Sequence, residues 1–401
     1  MANTTTTTTT TTTEALILAS TNGPLELRRA LLSGPQNDEV LVEMHATGIC
    51  HTDLSCMDGV LSISTPAVLG HEGAGMVLAT GFDVTDIAPG DKVLLSINHC
   101  QRCDNCTSGH PNYCAEGMPR NFGGRRLSDG STPISLLDDD DDDDDDEAKK
   151  KTPCFGNFFG QSSFARHAIV NRSCIVKVAA TSDTNTSPNL ALFAPLGCGI
   201  STGVGSVLNT LNVKQGSSLA VFGTGSVGLA AVMAGKMRKA RVIVTVDLNQ
   251  ARLELARKLG ATHLVHVHGG SEDVDVVQQR VRQACPEGVA YAVDCTGNPK
   301  VIESMMDCLA TRGRAAQVGI PTPDKTVPIN ILQHLLNGRE YVGCAGGDCV
   351  PSEMLPFLMQ QQEAGNFPLE DIVSYYDVKD YAQAFEDARS GKVVKAVLKW
   401  I

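Results

Sequence analysis

The sequence predicts a two-domain chain of the α/β class, with a mainly β domain joined to a domain built on a doubly wound parallel sheet. Three observations predict it. The length, 401 residues, favours two domains. Residues 14–93 read as short apolar runs broken by glycine, such as EVLVEMHATGIC and GHEGAGMVLAT, which is the grammar of packed strands. After GCGISTGVGSVL, strand-like and helix-like segments alternate, the grammar of βαβ units.

Composition narrows the function classes. Apolar residues make up 42% of the chain, yet no apolar run approaches the roughly 20 residues of a membrane span. The net charge of −12 is mostly local: the acidic run 138–147 supplies ten of those charges and leaves −2 for everything else. No basic stripe offers a nucleic-acid surface. The chain starts Met-Ala-Asn and then ten threonines, with neither a basic start nor an apolar stretch of signal length. The expectation is a cytoplasmic protein, where disulfides are rare. Its 14 cysteines then read as metal ligands, catalytic groups or small buried residues.

Taken in order, residues 1–13 read as a low-complexity, disordered tail and residues 14–197 as the β domain. Within that domain, CQRCDNCTSGHPNYC places Cys100, Cys103, Cys106 and Cys114 three, three and eight residues apart. Such spacing wraps one zinc in four thiolates and leaves no open position, so this lobe (about 98–116) reads as structural. The stretch 118–153, with its acidic run, reads as a long solvated insertion, because blocks of like charge repel.

Three further ligand types stand beside glycines: Cys50 in GICHTDLS, His71 with Glu72 in VLGHEGAGMV, and Cys198 in LGCGISTG. Their spacing alone does not join them. Residues 198–343 carry the second domain. There SSLAVFGTGSVGLAAVMAGKM reads as strand, glycine turn and helix, with Gly223, Gly225 and Gly228 in the G-x-G-x-x-G pattern. Asp247 closes the next strand, RVIVTVD. In that context the motif predicts a Rossmann unit that seats a pyrophosphate on a helix N-terminus. Asp247 would accept hydrogen bonds from the adenosine ribose and repel a 2′-phosphate, which favours NAD over NADP. Residues 344–401 read as a return to the first domain.

With these motifs in place, the chain resembles the zinc-dependent alcohol dehydrogenases of the medium-chain dehydrogenase/reductase superfamily. The resemblance runs from about residue 14 to residue 401 and breaks only at the tail and the acidic insertion. It implies a GroES-like catalytic domain plus a Rossmann coenzyme domain, and two zinc ions per subunit. Cys50, His71 and Cys198 match the catalytic zinc ligands, and Cys100, Cys103, Cys106 and Cys114 the structural ones. Thr52 matches the hydroxyl that relays the substrate proton, and Asp53 and Glu72 match carboxylates near the zinc. His51, Thr202, Val227, Arg252, Val318 and Lys395 match coenzyme-binding positions; Lys395 would lie near the pyrophosphate. In liver-type members a histidine lies three residues after the relay hydroxyl; here that position is Ser55. VLLSINHCQRCDNC and FFGQSSFARHAIV resemble the aryl (benzyl) alcohol branch, and Ser96 stands where liver-type enzymes carry a bulky aromatic. The implied reaction interconverts a primary benzylic or allylic alcohol and its aldehyde with NAD(H). A polar-ring aldehyde of secondary metabolism ranks below these. The resemblance also implies a homo-oligomer, dimer or tetramer. Two competing readings are a zinc-free NADPH quinone or enone reductase on the same scaffold and a non-catalytic zinc-binding structural protein. The complete ligand sets and Asp247 argue against the reductase.

Overall fold

The computed structural model describes residues 10–137, 151–178, 189–268 and 274–401. They fall into two units, Met1–Cys198 with Val373–Ile401, and Gly199–Ile372.

The first unit holds two sheets. One has five strands in the order Ala67–Val68, Thr11–Leu18, Leu25–Leu32, Ile134–Leu137, Lys151–Cys154. The other has seven strands. Its path is Ile175–Lys177, Lys92–Leu95, Gly73–Thr80, Glu39–Gly48, Lys395–Lys399, Val373–Asp377, and His167–Asn171 also pairs with Glu39–Gly48. Pairing is antiparallel except between the last two strands of that path. Leu16, Ile17, Leu18, Leu69 and Phe164 fill one core of this unit, and Val40, Val42, Met44 and Leu95 fill another.

The second unit is a six-stranded sheet in the order His263–His266, Val242–Asp247, Ser218–Phe222, Val289–Asp294, Leu309–Gln317, Glu340–Gly343. Every neighbouring pair is parallel. Numbered along the chain this is 3-2-1-4-5-6, the doubly wound arrangement that the glycine motif predicts. The strands VIVTVD and SLAVF are near-continuous apolar runs because helices cover both faces of such a sheet. Among the described residues no single helix is long and apolar enough to cross a membrane.

The structure corrects three expectations. Threonines 11–13 belong to strand Thr11–Leu18 rather than to a disordered tail, pairing in register with Leu32, Leu31 and Ala30. Threonine is β-branched and suits a pleated surface, and the Thr13 hydroxyl also accepts the His167 backbone N–H at 2.9 Å. Residues 1–9 lie outside the described residues. The stretch 118–153 is not one loop: Ile134–Leu137 and Lys151–Cys154 pair antiparallel and extend the five-stranded sheet. Pro153 is tolerated because its strand is the sheet edge; the acidic run itself lies outside the described residues. The chain returns to the first unit at Val373 rather than at residue 344. Residues 340–343 are the sixth parallel strand, and Lys258 pairs with Asp371 at 2.6 Å, which keeps 344–372 with the second unit.

Candidate active site

Cys50 caps the helix His51–Met57, and Asp53 at its third position reaches back to the Cys50 backbone N–H at 2.9 Å. The other Asp53 oxygen accepts the Gly70 N–H at 3.1 Å and lies 3.1 Å from His71 Nδ1. One fully buried carboxylate thus ties together the two segments that carry Cys50 and His71. Cys198 follows the turn Ala194–Gly197, which Ser96 holds through a 2.7 Å bond from its hydroxyl to the Gly197 carbonyl. All three residues belong to the first unit.

Their ligand atoms converge. Cys50 Sγ and Cys198 Sγ are 4.0 Å apart, and the sulfurs, a His71 ring nitrogen and a Glu72 oxygen all lie within 4.8 Å of one another. His71 Nε2 is buried with no hydrogen-bond partner. An unsatisfied buried nitrogen is costly, and a zinc ion with bond lengths of about 2.0–2.3 Å to nitrogen and sulfur fits this donor set. The hydrogen bond from the Cys198 thiol holds Cys50 well below its usual range, helped by the His71 and Lys395 charges. The same bond, with burial, pushes Cys198 up.

Glu72 and Lys395 form a buried ion pair beside the cluster. Lys395 Nζ is 3.0 Å from both Glu72 oxygens and 3.0 Å from the Ile49 carbonyl. Burial pushes Glu72 up to about 7 although Lys395 opposes it. Burial would lower Lys395, but the Glu72 carboxylate together with the Cys50 and Cys198 sulfurs outweighs that and raises it. The ammonium expected near a pyrophosphate is only 2% exposed and engaged with Glu72. Thr52 is buried with its hydroxyl 3.8 Å from Cys50 Sγ, whereas His51 is exposed.

The four-cysteine lobe closes as its spacing predicts. The sulfurs of Cys100, Cys103, Cys106 and Cys114 lie within 4.8 Å of one another. Backbone N–H groups point at them: Cys100 N to Cys114 Sγ at 3.3 Å and Cys103 N to Cys100 Sγ at 3.3 Å. N–H donors from Ala115 and Cys106 pull the Cys103 thiol down to about 6, the thiolate state that a metal needs.

In the second unit, Gly223 follows strand Ser218–Phe222 with φ +87°, and a Cβ on Gly228 would sit 1.8 Å from the Gly223 carbonyl. Only glycine fits both places. A Cβ on Gly225 would enter open space beside the N-terminus of helix Ser226–Met237. Asp247 accepts hydrogen bonds from the Thr224 hydroxyl at 2.6 Å and the Asn249 N–H at 2.8 Å. Gly223, Asp247 and Val318 all stand at carboxyl ends of parallel strands, the edge where such sheets bind ligands. Helix Gly199–Gly205, which carries Thr202, packs so closely on Val227 that a Cβ on Gly203 would meet the Val227 carbonyl at 2.1 Å. Arg252 lies in the first turn of helix Gln250–Leu259.

The residue reading did not single out Gln161, Phe158 and Phe159. Gln161 Nε2 donates to the His71 carbonyl at 3.0 Å and to the Ser96 carbonyl at 2.9 Å. Phe159 stacks on the His71 ring. Their only signal was the segment FFGQSSFARHAIV, in which none of the three is a metal-ligand residue type.

Comparison with known proteins agrees with this geometry. The family model "Alcohol dehydrogenase GroES-like domain" matches residues 36–133, and "Zinc-binding dehydrogenase" matches residues 226–361. Geraniol dehydrogenase of Castellaniella defragrans is 37% identical, over 96% of this chain and 97% of that protein. The crystal structure of benzyl alcohol dehydrogenase from Acinetobacter calcoaceticus superposes with a TM-score of 0.87 at 35% identity, over 97% of this chain and 99% of that one. An alcohol dehydrogenase zinc-binding domain protein from Burkholderia ambifaria gives a TM-score of 0.88 at 38% identity, over 98% and 99%.

Proposed function

Because the chain belongs to the zinc-binding alcohol dehydrogenase family of the medium-chain dehydrogenase/reductase superfamily, we propose that it interconverts a primary benzylic or allylic alcohol and its aldehyde with NAD(H). The observation that carries this reading is the convergence of Cys50, His71 and Cys198, with a buried His71 ring nitrogen that has no hydrogen-bond partner.

Cys50 Sγ, Cys198 Sγ and His71 Nε2 would hold the catalytic zinc. Bound there, the ion supplies Lewis acidity that lowers the pKa of an alcohol and polarises an aldehyde carbonyl. Asp53 fixes the His71 tautomer by accepting a hydrogen bond from Nδ1–H, which leaves Nε2 free to donate its lone pair. Thr52 takes the hydroxyl proton of the alcohol. Ser55 offers no imidazole to receive that proton next, so it passes to the coenzyme ribose or to water. A nicotinamide coenzyme, which the turn of Gly223, Gly225 and Gly228 would hold, would supply the hydride acceptor. Cys100, Cys103, Cys106 and Cys114 would hold a second, structural zinc.

Two similarities support the substrate class: one relative is named for geraniol, an allylic alcohol, and one structure for benzyl alcohol. A pocket that buries a ring gains roughly 25 cal/mol per Å² of apolar surface. Asp247 supports NAD, since a 2′-phosphate beside it would meet a like charge. Steady-state kinetics on ethanol, hexanol, cinnamyl alcohol and benzyl alcohol, each with NAD and NADP, test both points. Benzyl and cinnamyl alcohol should exceed ethanol in kcat/KM by orders of magnitude. Equal rates on ethanol would remove the substrate class, and a preference for NADP would remove the reading of Asp247.

A homo-oligomer also belongs to this reading. Among the described residues strand Glu340–Gly343 is the last of its sheet, and helix Ile331–Asn337 is capped at both ends yet buries none of its residues. Its Ile331, Leu332, Leu335 and Leu336 are 60–82% exposed. An open edge beside an apolar helix is self-complementary under a two-fold axis.

A further inference from the structure

Phe159 has φ 51° and ψ 28°, and Ser162 has φ 44°, with Gly160 between them at φ 65°. Bulky side chains rarely adopt the left-handed region, and such strain persists only where the surroundings over-determine it. Here they do. The Phe158 N–H donates to Ser162 Oγ and the Ser162 N–H to the Phe158 carbonyl, each at 2.9 Å. The Ser162 hydroxyl donates to the Val68 carbonyl at 2.7 Å, and the Cys174 thiol donates to the Phe159 carbonyl at 3.3 Å. Gln161 anchors the turn to the His71 backbone and to strand Gly73–Thr80 through the Gly73 N–H at 3.2 Å.

This strained turn delivers two aromatic rings to one imidazole. The Phe159 ring stacks on His71 with centroids 4.4 Å apart and planes at 22°, and Phe158 meets the same ring nearly edge-on at 5.5 Å and 78°. Phe122 supports Phe159 from behind at 5.1 Å. The Asp53 bond fixes a single point of the imidazole, Nδ1, and leaves the plane free to tilt about it. A flat ring against the face removes that tilt.

We propose that Phe159 is a positioning residue for the catalytic metal. Its left-handed backbone is kept so that its ring can hold the His71 plane and aim Nε2 between the two thiols. The proposal rests on the reading of Cys50, His71 and Cys198 as the zinc set. It separates stability from metal retention, because the backbone conformation that serves the site disfavours phenylalanine itself.

Glycine is at ease where Phe159 sits. Phe159→Gly should therefore lose less thermal stability than Phe159→Leu, which keeps the strained backbone and part of the apolar volume. Yet both should release one zinc to a chromophoric chelator at least tenfold faster than wild type, since partners of metal ligands are worth about 10–100-fold in affinity. Phe159→Tyr keeps the flat face and should restore wild-type release. In the cobalt-substituted protein, Phe159→Gly should shift the visible bands of one site, and Phe159→Tyr should not. The second zinc of each chain is the internal reference. Wild-type release rates and cobalt bands in both Phe159→Gly and Phe159→Leu, with two zincs per wild-type chain, would overturn the positioning role alone. If the glycine variant does not fold, unchanged release from the leucine variant overturns it equally. A wild-type chain that holds only the four-thiolate zinc removes the ligand set itself, and the proposal falls with it.

Discussion

At the scale of single residues, the site depends on which atoms burial leaves without water. His71 Nε2 is buried with no hydrogen-bond partner and stands with the half-buried thiols of Cys50 and Cys198, the donor set proposed for the catalytic zinc. Replacing one ligand should act on that ion alone. Cys50→Ala is expected to bind one zinc fewer per chain and lose turnover while coenzyme titration stays unchanged, because the glycine turn lies in the other unit. Metal analysis and fluorescence titration of coenzyme check both halves; retained turnover in a metal-depleted variant would refute the ligand role. Cys50, His71 and Cys198 stood out in the sequence as ligand types beside glycines, but only the family resemblance joined them into one set. Gln161 and Phe159 did not stand out, because they act through a carbonyl and a ring face, and any residue of similar shape can do that in a core. Lys395 was legible as a cation but not in its partner: only the fold brings Glu72, 323 positions away, to within 3.0 Å.

At the scale of elements, the alternation of strand and helix made the parallel sheet legible, and the glycine triplet marked the turn proposed to face a pyrophosphate. Gly228→Ala tests the tightness of that turn. A Cβ 1.8 Å from the Gly223 carbonyl must push helix from strand, and the cost should be about 3 kcal/mol, seen as a lower urea midpoint together with weakened NAD binding. Residues 118–137 were misread because charge and glycine dominate their composition, while their fixing point is a single buried pair. Arg126 donates to both oxygens of Glu39 at 2.8 and 2.9 Å and to the hydroxyls of Ser33 and Ser131. Both members are at least 93% buried. Arg126→Ala leaves the Glu39 carboxylate buried without its cation, and should cost about 3–5 kcal/mol by denaturant unfolding. A loss below about 1 kcal/mol would show that this segment is loose after all. The zinc lobe is the third such element. Cys103→Ser should lower thermal stability first and activity only in consequence, because structural-zinc binding energy is folding energy; full stability with lost activity would contradict that order.

At the scale of the whole molecule, sequence pattern set the number of units but not where the chain crosses back. The boundary lies at Val373 because Glu340–Gly343 completes the parallel sheet before the chain leaves it. Among the described residues, that sixth strand ends the sheet and pairs with Leu309–Gln317. An open edge invites a strand from another chain, and an adjacent helix with four exposed aliphatic side chains would be wasteful on a lone protomer. Two copies related by a two-fold axis would pair their open edges and cover both helices with each other. Charge placed on that helix should oppose the pairing without touching either cysteine cluster, since the helix lies in the second unit. The double variant Ile331→Glu with Leu335→Glu is therefore expected to sediment as a monomer at micromolar concentration, and the wild type as a dimer or larger. Its zinc content should remain at the wild-type value. A wild type that is already monomeric would refute this use of the edge, and an oligomer that survives both glutamates would place the contact on another face.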